Sequence, residues 1–222
     1  MNTAIQAGAR LGCVSASVAN NIARQSNKDV ADNLAKNPAA DALRLEWLHT
    51  WQPIAAKHGA DPGTIEQAAA HEAGHLVVSL ALDPDATFIR SRLHRNPDAT
   101  WGGYSEVWCP SIHLIEGETF RPSQEPDRAA LLMTIQAAGI VGEMVAGHWH
   151  PASSLDEVMM VKGVATEAGI HPLSIILAAH TSIRRNQVIF DTLRGVLARN
   201  RRLLKSDVSR ACRNLVSAEV AA

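Results

Sequence analysis

The chain predicts a mainly α fold of the α+β class, a helical domain with a small β-hairpin after its most informative helix. Three observations carry that expectation. Thr64 to Leu82 is apolar on almost every turn, through Ile65, Ala68, Ala69, Leu76, Val77, Leu80 and Leu82. Thr87 to Leu93 alternates as a strand does, and a second extended run follows at Gly102 to Trp108. From Asp127 onward helical spacing returns and continues to the end of the chain.

Each element has a local reason. Residues 1–38 are rich in Ala, Asn and Ser, have weak periodicity and close on Asn37-Pro38, so they read as a flexible or helical N-terminal arm; residues 39–222 read as one domain. Asp41 to Lys57, with Leu43, Leu45, Leu48, Trp51 and Ile54, is an amphipathic helix interrupted by Pro53, and Gly59 to Gly63 makes a turn. Asp83-Pro84-Asp85 stops the Thr64–Leu82 helix, because proline cannot continue one. Asn96-Pro97-Asp98 joins the two strands, and the Pro-rich stretch 109–126 is a loop.

Leu131, Leu132, Ile135, Ala138, Gly139, Val141, Gly142 and Val145 give a small-residue helix suited to close packing on the first, ended by Gly147. Ser154-Leu155-Asp156-Glu157 has capping-box spacing and opens the next helix, which runs to about Ala168. Helices over Pro172 to Asn200 and Ser206 to Val220 complete the domain.

Length and composition narrow the function classes. A chain of 222 residues holds one substantial core, and a net charge of −1 gives no electrostatic case for nucleic acid. The arginines at 184, 185, 194, 199, 201, 202, 210 and 213 read as a solvated helix face. Cys13, Cys109 and Cys212 are too few and too scattered for a disulfide framework or a Cys-type zinc site, which fits a reducing cytoplasm. The longest uncharged stretches, Ala129 to Gly142 and Ala168 to Ile183, are shorter than a membrane span, and no secretory signal is read.

The chemistry concentrates in His71-Glu72-Ala73-Gly74-His75, an H-E-x-x-H motif inside the apolar helix. At 3.6 residues per turn, His71 and His75 project from one face and can ligate one tetrahedral metal. Glu72 is adjacent to the first histidine without sharing its position, which suits a general base acting on a water at that metal. A catalytic Zn2+ takes a third protein ligand, and Glu106, Glu116, Glu118, Glu143, His148, His150, Asp156 and Glu157 are all open to that role.

Residues His71 to Ile170 resemble the peptidase domain of the FtsH-type ATP-dependent zinc metalloproteases. The family's H-E-A-G-H is matched at all five positions, Phe88 to Arg95 with Gly103-Tyr104 follows its strand order, and Ala138-Gly139-Ile140-Val141-Gly142-Glu143 is similar to its A-G-x-x-A-E helix. The family's third ligand is the Asp of a G-A-S-N-D-L segment; Ala152 to Glu157 aligns with it, so the resemblance implies Asp156 as the ligand. Leu155, Glu157 and Pro151 depart from that pattern, and Glu143 reads as a residue that backs the ligands or packs its helix rather than as a ligand.

The resemblance implies a zinc metalloendopeptidase with metal ligands His71, His75 and Asp156 and catalytic base Glu72, acting on flexible or unfolded protein segments. Within this sequence there is no G-x-x-x-x-G-K-[ST] loop, so the likeness is to the peptidase module without its motor, with a separate ATPase as a partner and an oligomeric state that the sequence leaves open. The alternative is a non-catalytic or regulatory module of the same fold that docks to an ATPase or another protein.

Overall fold

The computed structural model describes residues 63–112, 119–150 and 154–215, together with His49 and Pro53, both helical. Apart from those two positions, the expected arm, the 41–57 helix and the end of the last helix lie outside the described residues, as do Glu116 and Glu118. The architecture is mainly helical with a small three-stranded antiparallel sheet, a mixed α+β arrangement.

Helix α1 (Ile65–Leu82) runs through the middle. Thr64 caps it by accepting the Gln67 N–H at 3.1 Å, and the buried Asp83 ends it, its carboxylate accepting the backbone N–H groups of Asp85 and Ser111. Because α1 is buried nearly all round, its pattern is apolar rather than amphipathic. Strands β1 (Thr87–Arg95) and β2 (Trp101–Trp108) form the expected hairpin, and β2 packs on α1. The sheet gains a strand the sequence did not announce: β3 (Arg202–Leu203) pairs with the other edge of β1, giving the order β2-β1-β3. Two residues are too short to show alternation, so no periodic signal marks it.

Helix α2 (Pro126–Ala146) packs against α1 more closely than ordinary side chains allow. A Cβ at Gly142 would come within 2.5 Å of the Ala70 carbonyl oxygen, and one at Gly74 would overlap the Ala138 carbonyl. By length and composition α2 could cross a membrane, beyond the expectation from its uncharged stretch alone, yet 61% of its apolar window is buried inside the protein. Gly147 ends α2 in the left-handed region, at φ 75°.

Helices α3 (Leu155–Glu167), α4 (Pro172–Arg185), α5 (Gln187–Asn200) and α6 (Lys205–Ala211) finish the domain. The expected Pro172–Asn200 helical stretch is two helices, because Asn186 leaves helical geometry at φ −111°, ψ 27° and its buried side-chain amide donates to the Ser182 carbonyl at 3.0 Å. Helix α6 is shorter than expected and gives way to a 3-10 turn over Cys212–Asn214.

Candidate metal centre

Helix α1 presents His71 and His75 one turn apart on the face toward α2 and α3. Their rings lie edge to face with centroids 4.7 Å apart, and their Nε2 atoms are 3.0 Å apart. Glu157, on the first turn of α3, brings Oε1 to 3.1 Å from His71 Nε2 and 3.2 Å from His75 Nε2. These three atoms form a His-His-Glu group that could hold a metal ion.

The hydrogen bonds behind the rings decide what these atoms present. His75 Nδ1 is 2.8 Å from the Ile135 carbonyl oxygen, which can only accept, so Nδ1 carries the hydrogen and Nε2 a lone pair. His71 Nδ1 is 2.7 Å from Glu143 Oε1, which also accepts the Ser154 hydroxyl at 2.8 Å, while Glu143 Oε2 accepts the Gln67 side-chain amide at 2.9 Å. A carboxylate accepting on both oxygens leaves His71 Nδ1 as the donor, so its Nε2 also turns a lone pair forward. Two lone pairs and a carboxylate oxygen thus converge on one point, an arrangement that only a cation or protons can satisfy.

Further observations fit a metal there. A tetrahedral site with bonds of about 2.0–2.1 Å separates its ligand atoms by about 3.3 Å, close to the triangle seen. A Cβ at Gly139 of α2 would lie 2.5 Å from His71 Nε2 and 2.6 Å from His75 Nε2, so the absence of a side chain keeps a cradle open against the ligand atoms. Among the described residues, Glu157 Oε2 is buried with no hydrogen-bond partner.

Without a metal, protons occupy the point. Burial works to lower both histidines, but the Glu157 carboxylate and the hydrogen bonds it makes override it. His71, bonded to Glu143 as well, is held well above the ordinary imidazole range, and His75 is raised too, against the opposing charge of His71. Burial likewise works to raise Glu157, and the two imidazoles override it, holding its carboxyl far below the usual range.

Glu72 lies beside this triangle and outside it. It is 4% exposed, its Oε2 is buried without a hydrogen-bond partner among the described residues, and burial raises its carboxyl while His71 and His75 pull it back in part. Strand β2 closes over it at Gly103, where a Cβ would come within 2.6 Å of Glu72 Cγ. Ser105 of the same strand donates to the Glu72 carbonyl at 3.1 Å, tying the strand to the helix at this residue.

The structure therefore brings His71, Glu72 and His75 together. The expected third ligand, Asp156, is exposed and outside the group of three, which its neighbour Glu157 completes. Ser154 does not cap α3 with its side chain, because its hydroxyl is spent on Glu143. Among the other sequence candidates, Glu106 is held in a two-toothed ion pair by Arg90, and His148 contributes its backbone N–H to the Glu143 carbonyl at the end of α2. His148 and His150 are outside the group. A signal for Glu157 was present in α3: Glu157, Met160, Val161 and Val164 follow helical spacing along its buried face, which Asp156 does not share. Gln67 and the Ile135 carbonyl had no such signal.

Compared with protein-family models and with curated proteins, the chain gives no match to either.

Proposed function

We propose that the chain is a zinc-dependent metalloendopeptidase, similar to the peptidase module of the FtsH-type enzymes, that hydrolyses peptide bonds in flexible or unfolded protein segments. One observation supports this reading above the others: two imidazole lone pairs and a carboxylate converge on a point beside a buried carboxylate that is not one of them. The donor set suits Zn2+, which favours imidazole nitrogen and carboxylate oxygen in fourfold coordination with one position left open.

His71, His75 and Glu157 would hold the metal. When bound, it supplies Lewis-acid polarisation of a carbonyl and acidifies water toward neutral pH. The chain's own residues supply the rest. Glu143 and the Ile135 carbonyl fix both imidazoles in the tautomer that turns Nε2 forward. Glu72 takes a proton from the attacking water and returns it to the departing amine, using an oxygen that no other group occupies.

β2 is an outer strand of the sheet, so an extended peptide can add along it and pass Glu72 at Gly103. An extended peptide must be free of its own fold, which makes unfolded segments the substrate class and leaves unfolding to a separate ATPase, with the cytoplasm as the compartment.

The deciding experiment pairs elemental analysis of the purified protein with a chelator-sensitive casein or peptide cleavage assay. Glu72→Gln is expected to keep the metal and lose about 10²- to 10⁴-fold in rate. Equal activity in that variant overturns the role of Glu72. Metal without cleavage in the wild-type chain favours the non-catalytic module instead.

A further inference from the structure

We infer that the outer face of the sheet is a docking surface for an acidic segment of another protein, held by Arg92 and Arg202 with Leu204 beside them. The surface is separate from the metal centre. Ser91 and Leu93 of β1 pair with Ser105 and Gly103, the two β2 residues that meet Glu72, so Arg92 between them turns to the opposite face. Arg92 is exposed there, and the strand register places Tyr104 on one side of it and the exposed Arg202 on the other.

Arg92 and Arg202 stand directly opposite each other across β1 and β3, a placement in which like charges work against strand pairing. The chain builds this juxtaposition on disfavoured backbone. Arg201, which delivers β3, is left-handed at φ 59°, and it is held by the Leu93 N–H donating to its carbonyl at 2.8 Å and by its guanidinium lying over Trp101, 5.1 Å from the ring centroid. Among the described residues, neither Arg92 nor Arg202 has a carboxylate partner. Arg90, on the same face of β1, shows what a neutralised arginine looks like here: it donates to both oxygens of Glu106, at 2.7 and 2.6 Å. Asp207, close by in sequence, is spent on the Leu204 N–H at 3.0 Å.

The chemistry of the face selects its partner. Two guanidinium groups side by side present paired N–H donors that match carboxylates. Leu204 follows Arg202 by two residues in extended backbone, at φ −95°, ψ 155°, so it shares the face and offers an apolar contact that is 52% exposed. An extended chain in which acidic and aliphatic residues alternate carries side chains at that same spacing. Nucleic acid and anionic membranes call for a continuous basic surface; the net charge is −1, and Glu106 interrupts the face.

The test uses fluorescence anisotropy with the full chain carrying Glu72→Gln, so that the result does not depend on whether the chain cleaves peptides. The probes are labelled peptides in which Glu alternates with Leu, Gln with Leu, or Glu with Ser. The Glu-Leu peptide is expected to bind at least about 10-fold more tightly than the Gln-Leu peptide, with affinity falling as salt rises. Arg92→Gln and Arg202→Gln should each weaken binding about 3- to 10-fold while melting up to about 4 °C higher, because each relieves a like-charge pair; either variant alone carries the test. Arg185→Gln, on α4, should bind as the parent does, and Leu204→Ser should lose the preference for Leu over Ser. Equal binding of the Glu-Leu and Gln-Leu peptides, no binding of either, or parent-like affinity in the Arg92 and Arg202 variants overturns the docking surface. Tighter arginine-dependent binding of a U-rich RNA or of phosphatidylserine vesicles, or self-association lost in the same variants, overturns the choice of partner.

Discussion

Gly139→Ala tests how the proposed metal centre is held, because it changes no member of the His-His-Glu group and no charge. The added Cβ would stand 2.5 Å from His71 Nε2 and 2.6 Å from His75 Nε2, where ordinary contact begins near 3.4 Å. Helix and imidazoles must then part by about 0.9 Å, whereas metal–ligand distances tolerate only about 0.2 Å. The rings cannot retreat as a unit, since Nδ1 of each is bonded to Glu143 or to the Ile135 carbonyl. We expect zinc affinity to fall by at least about 100-fold, and overpacking to cost about 1–3 kcal/mol, or about 2–12 °C in Tm. Competition with a chromogenic chelator reads the affinity, and calorimetry reads the melting. Gly195→Ala is the control: its Cβ meets nothing nearer than an Arg199 side-chain nitrogen at 3.4 Å, and it should bind zinc normally and melt slightly higher. Wild-type zinc affinity in Gly139→Ala would refute the placement of the cradle.

Three other predictions concern the same centre. Glu157→Ala should abolish zinc uptake and Glu157→Asp, one methylene shorter, should weaken it strongly, while Asp156→Ala leaves it intact; metal analysis giving the reverse order would restore Asp156 as the ligand. Glu143→Gln keeps the shape but removes the charge behind His71, so zinc affinity should drop about 10- to 100-fold, and an unchanged affinity would mean that Glu143 serves packing alone. In the chelated protein, the raised histidines give stability that is fully present below about pH 6.5 and lost as pH rises through their folded values. The raised Glu72 acts in the same sense above about pH 4.5, while the depressed Glu157 gives stability present above about pH 4.5 and lost as pH falls through its folded value. The Tm of the metal-free protein should therefore decline from pH 6.5 upward, and a flat or rising Tm there would contradict the assigned contacts; with zinc the trend should reverse, since the metal needs deprotonated imidazoles.

Much of this was legible in the sequence where a local rule acts alone. Thr64 and Asp83-Pro84 bound α1 because capping and proline act over a few residues, and Gly147 ends α2 for a similar reason. Gly142, in the small-residue helix, announces close helix packing because glycine lets two backbones approach so far. What escaped was decided at long range. Ser154 has the spacing of a cap, but a buried carboxylate eleven residues earlier in sequence competes for its hydroxyl and wins. β3 exists because the sharp reversal at Arg201, left-handed at φ 59°, delivers Arg202 and Leu203 to the free edge of β1, where the Leu93 N–H donates to the Arg201 carbonyl at 2.8 Å.

The third member of the His-His-Glu group shows the same division most sharply. A motif comparison aligns letters, and by letters Asp156 occupies the acidic position that opens a helix. A helix, however, turns about 100° and rises about 1.5 Å per residue, so neighbouring residues face different surroundings. In α3 the face that buries Met160, Val161 and Val164 also carries Glu157, whereas Asp156 points to solvent. The sequence offers both a capping-type carboxylate and a buried one; burial distinguishes them, because an ionised group on an apolar face persists only with a partner. Here the partners are the two histidine nitrogens, and the longer glutamate arm reaches both from one residue further along the helix. Periodicity on α3 is thus a sharper guide to the carboxylate that meets the two histidines than residue identity at an aligned position.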